Sequence, residues 1–63
     1  MNEPLLLRVD EAAKLLQVGR NKVYELVASG ELPSLHIGRQ LRIPAEELRE
    51  WIRQQAVGGG RRP

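Results

Sequence analysis

From Val9 to Leu16 the apolar residues fall at Val9, Ala12, Ala13 and Leu16, the i, i+3, i+4, i+7 spacing of one buried helix face. Asp10, or Arg8 with Glu11 three residues on, can start this helix. Gln17-Val18-Gly19 follows as a turn, with Val18 as an apolar plug between helices. A second helix is predicted from about Arg20 to Ser29, with Val23, Leu26 and Val27 on one face and Gly30 placed as a left-handed C-cap glycine. Two short helices joined by a tight glycine-containing turn make a helix-turn-helix unit. After Leu32-Pro33 the period drops to two. Leu35, Ile37, Leu41 and Ile43 alternate with His36 and Arg42 around Gly38-Arg39-Gln40, and pairing Ile37 with Leu41 puts all these apolar residues on one face of a hairpin. Three-residue hairpin loops commonly carry Gly last, whereas Gly38 comes first, so the turn type stays open.

Pro44 suits the first position of a third helix that reaches Gln54 or Gln55, with Leu48, Trp51 and Ile52 as its apolar stripe. Trp51 is expected in the core, because a domain this small needs a large residue to seal it and there is no Phe. The glycine-rich end reads as a tail. The expected organisation is therefore a domain over 1–55 and a disordered basic C-terminal tail over 56–63. The fold class is mainly α with a small β-hairpin, that is, three helices plus a wing.

Composition narrows what such a domain can do. With 63 residues there is room for one domain and little room for an enclosed catalytic pocket. The absence of Cys excludes disulfides and zinc–thiolate sites, and a single His with scattered carboxylates does not make a metal site. Ser29 and Ser34 are the only serines, and no phosphate-cradling glycine loop follows a strand. No enzyme, cofactor or metal is expected. Leu5–Leu7, the longest apolar run, is far too short to span a bilayer, and a cytoplasmic, nucleoid-associated protein fits best.

The net charge is only +2, but it is unevenly placed. The segment 19–42 carries Arg20, Lys22, Arg39 and Arg42 against Glu25 and Glu31, and Arg61 and Arg62 close the chain. Two cations in the first turn of helix two oppose the positive end of the helix dipole, which favours Asp or Glu. A phosphate outside that helix end would reverse the sign, because it attracts Arg20 and Lys22 and the exposed helix N–H groups together. Counted at about 100° per residue from Val23, Asn21 and Glu25 point outward, with Lys22 and Tyr24 on the flanks. Asn can bond adenine bidentately, Glu can accept from cytosine, and Lys or Arg can reach guanine or phosphate. Tyr24 is either a half-buried spacer or a phosphate donor through its hydroxyl. Arg39 at the hairpin tip can enter a minor groove. Arg42 either contacts the DNA backbone or pairs with a carboxylate, and His36 is expected at the hairpin surface.

The segment LLRVDEAAKLLQVGRNKVYELVASGELPSLHIGRQLRIPAEELREWI resembles the excisionase-family, MerR-type winged helix-turn-helix domain, notably in DEAAKLL, VGRNKVYELVASGELP, HIGRQLRI and ELREWI. The resemblance covers roughly residues 6–52 in the family's order and spacing. It implies that the second helix enters a major groove and that the wing tracks the adjacent minor groove. Arg20, Asn21, Lys22 and Tyr24 match the family's recognition-helix segment, and Arg39 matches its wing arginine. There are two departures: Arg8 stands where the family usually has Thr or Ser, and Gly19 where it has Ser. Gly loses only a few tenths of a kcal/mol as an N-cap, whereas Arg8 loses the cap and leaves its side chain to a phosphate.

The resemblance thus implies sequence-specific binding of double-stranded DNA, by a factor that bends a recombination site so that an integrase partner runs in the excisive direction. A small transcriptional regulator with the same domain is the alternative, and a protein-interaction adaptor a third reading. A monomer in solution, cooperative on DNA, is expected because no long dimerisation helix follows Trp51.

Overall fold

The structure, a computed structural model, describes residues 4–59, with side chains as far as Ala56. In chain order it contains β1 (Leu6–Leu7), α1 (Val9–Leu16), α2 (Arg20–Ala28), β2 (Leu35–Ile37), β3 (Gln40–Pro44) and α3 (Ala45–Gly59). The strands form one antiparallel sheet in the order β1-β3-β2. This is a winged helix-turn-helix: α1 and α2 are the helix-turn-helix pair, and β2 and β3 are the wing.

Helix α1 begins at Arg8, whose backbone N–H donates to Glu11 Oε1 at 2.9 Å. That is the carboxylate half of a capping box. A guanidinium has no acceptor, so Arg8 cannot supply the other half. The helix ends in a left-handed residue, Gln17 at φ 60°, where Gln17 N–H reaches Lys14 O (3.1 Å) and Val18 N–H reaches Ala13 O (3.0 Å). Helix α2 ends in the same way at Gly30 (φ 83°), with Gly30 N–H on Val27 O and Glu31 N–H on Leu26 O, both 3.0 Å. Both are Schellman closures, which satisfy the last carbonyls of a helix and turn the chain sharply.

The core comprises Leu7, Val9, Ala12, Ala13, Val23, Leu32, Ile43 and Leu48, with Leu16, Leu26, Val27, Leu41, Ala45 and Trp51 packed around it. Two small alanines at the centre of α1 let α2 approach closely, and Val23 seals the contact at zero exposure. Leu32, in the bend that follows α2, is fully buried. Leu32 N–H bonds Leu26 O at 3.1 Å, so the closure of α2 itself drives that side chain inward.

Several expectations are corrected. Val18 is 40% exposed and is no plug, because the left-handed Gln17 has already turned the chain away from the core. Trp51 is half-buried at the rim, and Ile52 is 42% exposed. The central position of the α3 stripe goes to Leu48, which meets the core at the start of the helix. Pro44 ends β3 opposite Leu6 instead of opening the helix. It has no N–H to give the sheet, and Ala45 N–H makes the next bond, to Leu5 O at 2.9 Å. β1 is a third strand that two residues are too few to announce by alternation. Helix α3 runs to Gly59, past the expected end at Gln54 or Gln55, since no Pro interrupts it there. Of the expected tail 56–63, residues 60–63 lie outside the described residues.

The wing register differs by one residue from expectation. Leu35 faces Arg42, His36 faces Leu41 and Ile37 faces Gln40. The loop is therefore the two residues Gly38-Arg39, with Gly38 at φ 63° and Arg39 on the negative side. Glycine in the first central position is the type II′ pattern, whose twist matches that of the flanking strands. A slip of one residue exchanges the faces of a strand. Leu41 and Ile43 keep the inner face, while Leu35 and Ile37 turn outward, 36% and 55% exposed.

Candidate nucleic-acid interface

Helix α2 starts without a side-chain cap. Gly19 holds the N-cap position in extended backbone, and the first turn contains no acidic residue. Arg20, Asn21 and Lys22 fill that turn and are all exposed. The first N–H groups of a helix have no intrahelical acceptor and carry its positive partial charge. This end therefore presents two cations and a set of oriented amides, an arrangement that suits an anion.

Val23, at zero exposure, sets the roll of α2. At about 100° per residue, Asn21 and Glu25 lie opposite it, Arg20 and Tyr24 occupy one flank, and Lys22 occupies the other. Glu25 is exposed, and its Oε1 lies 3.5 Å from Lys22 Nζ. With the two side chains 58% and 69% exposed, such an i, i+3 pair is worth no more than about 0.5 kcal/mol. A phosphate can therefore draw Lys22 away at little cost, which leaves the carboxylate of Glu25 to accept from a base.

The flank of Arg20 and Tyr24 borders a groove of about 430 Å³. Its other walls are Arg8, Val9 and Asp10 at the start of α1, and Arg39, Gln40, Leu41 and Arg42 of the wing. The fold thus brings four arginines to one opening, against Asp10 as the one acidic residue on its walls. Among the described residues, the side chains of Arg8, Arg20 and Arg39 make no ion pair. Arg42 is half-buried, and its Nη1 donates to Leu41 O at 2.9 Å, so its own strand holds it on the groove wall. Tyr24, also on the wall, is 51% exposed.

The residues singled out in the sequence fall into two sets. Arg20, Tyr24, Arg39 and Arg42 meet at the groove, while Asn21, Lys22 and Glu25 lie on the exposed part of α2 beyond it. Arg8 and Gln40 join the groove without having been placed there by sequence pattern. For Arg8 a signal did exist, an arginine where a capping hydroxyl was expected. For Gln40 there was none, because its position depends on the wing register. His36 is exposed on β2 and does not border the groove. Among the described residues, no group of three or more His, Cys, Asp or Glu is placed to hold a metal, and no helix is long and apolar enough to cross a membrane.

Comparison with known proteins adds an independent line. A family model described as a helix-turn-helix domain matches residues 6–56. A protein of Saccharopolyspora erythraea named "Probable excisionase" is 53% identical over 47 residues, covering 75% of this chain and 48% of that protein. An "Excisionase" of Streptomyces ambofaciens is 40% identical over 52 residues, 82% of this chain and 84% of its own length. An uncharacterized Bacillus subtilis protein is 39% identical over 51 residues, which cover 81% of this chain but 17% of the relative. The chain thus spans about half the length of the first of these relatives and less of the Bacillus one. No solved structure shows a significant match.

Proposed function

The chain belongs to the helix-turn-helix domain family, and on that premise we propose that it binds double-stranded DNA sequence-specifically as an excisionase-type factor. The observation that carries this reading is the set of four arginines from α1, α2 and the wing around one groove, beside the exposed row of Asn21 and Glu25. Helix α2 lies in the major groove, where Asn21 and Glu25 meet base edges and Lys22 meets a phosphate. The wing lies over the adjacent minor groove with Arg39 inserted, most favourably where A·T pairs narrow it. Seating both elements at once bends the duplex, and a bent recombination site is what an integrase partner would use. The excisionase names of the Saccharopolyspora and Streptomyces relatives support this output over transcriptional control. The protein acts as a monomer in solution, with copies assembling cooperatively on DNA, within the nucleoid.

Fluorescence anisotropy against duplex fragments over a range of salt concentrations tests the binding. Affinity should fall linearly in log–log terms, by about 0.9 for each phosphate neutralised. Negligible affinity for duplex DNA at low salt would remove the reading and favour a protein-interaction adaptor. A circular-permutation gel and an excision assay with a candidate integrase then test bending and output.

A further inference from the structure

Building on the DNA-binding reading, we propose that Arg8 is a backbone-positioning residue. Together with Arg20 and Arg42 it holds the sugar–phosphate strand that passes between the groove entered by α2 and the groove that Arg39 enters under the wing. Any duplex separates its major from its minor groove by one such strand, so a protein with an element in each must straddle it. The opening bounded by α2, the wing and the start of α1 is that straddled space, and all four arginines border it.

Arg8 has no evident structural use for its charge. It sits at the N-cap of α1, where a hydroxyl would accept an amide and a guanidinium cannot. Glu11 accepts Arg8's own backbone N–H at 2.9 Å and does not border the opening. Its side chain makes no ion pair among the described residues, although Asp10 lies on the same groove wall. A chain that gives up half a capping box for an exposed arginine beside three others places a cation where a polyanion comes. Tyr24 and Leu41 on the same walls offer apolar surface to a deoxyribose. Every nucleotide shares this chemistry, so Arg8 adds affinity and register without choosing sequence.

The test uses Arg8→Ser and Arg8→Lys in the full chain, with a random-sequence duplex and the most tightly bound genomic fragment as probes. Arg8→Ser should bind both several-fold more weakly and lower the salt slope by about 0.9, with Arg8→Lys restoring the slope. Its melting temperature should hold or rise, since Ser is a good N-cap, so lost binding cannot be lost folding. Phosphate-ethylation interference on the genomic fragment should lose its signal at one or two adjacent phosphates in Arg8→Ser. An unchanged slope and an unchanged interference pattern would overturn the proposal and leave the DNA-binding reading intact. If the unaltered protein binds neither probe at low salt, both fall together.

Discussion

Helices α1 and α2 close on the same Schellman hydrogen bonds with different residues at the left-handed position, Gln17 at φ 60° and Gly30 at φ 83°. A residue with a Cβ costs about 1–2 kcal/mol in that region. Glycine gives back about 0.4–1 kcal/mol of this through the greater freedom of its unfolded chain. The difference makes Gln17→Gly stabilising by about 0.8 kcal/mol. Gly30→Ala should destabilise by a similar amount, because a Cβ at Gly30 would meet nothing within 4 Å and no clash adds to the cost. For a domain of this size about 1 kcal/mol moves the melting temperature by about 4–8 °C, so the two variants should melt about 3–6 °C above and below the parent. Thermal unfolding followed by far-UV circular dichroism reads this directly, with Gln17→Ala as a control that keeps the Cβ and should melt with the parent. A Gln17→Gly variant that melts at or below the parent would refute the assignment of strain to Gln17. Duplex affinity should be unchanged in Gln17→Gly, since the hydrogen bonds that set α1 against α2 stay the same.

The wing register separates Ile37 from Ile43, which simple alternation places on one face. Ile37→Thr should change stability by no more than about 0.5 kcal/mol, whereas Ile43→Ala, at zero exposure, should cost about 2–5 kcal/mol in a denaturant titration. In a fold whose total stability is on the order of 3–9 kcal/mol, that loss is a large fraction of the whole. On the proposed interface, Asn21→Ala should lose about 1–3 kcal/mol on the cognate site alone, while Lys22→Ala weakens cognate and random duplex alike; equal losses for Asn21→Ala on both would take it off the list of base readers. Arg39→Ala should weaken binding most where the bases flanking the site are A·T, and a loss independent of the flanks would place Arg39 outside the minor groove.

Helices α1 and α2, the turn between them and the glycine closing α2 were readable along the chain because each depends on contacts three to six residues apart. The i, i+3, i+4 spacing of Val9, Ala12, Ala13 and Leu16 and the period around Val23 each name a buried face without reference to the rest of the molecule. The outward row of Asn21 and Glu25 follows from that same roll. The exposure of Val18 and the burial of Leu32 were not legible there, because burial at a helix exit depends on which way the closing turn sends the chain.

The wing shows where local reading stops. Alternating apolar residues are compatible with two registers, and the left-handed Gly38 in a two-residue turn, matched to the twist of the strands, chooses between them. The strand Leu6–Leu7 exists only because β3 is there to pair with it. The arginine groove is the fullest case. Arg8, Arg20, Arg39 and Arg42 are spread over more than half of the chain, and no spacing rule connects them. The types of residue that can meet a phosphate were determined by sequence alone. Their meeting at one opening was decided by the packing of α1 against α2 and β3, because only a closed core holds charges from distant segments in one place.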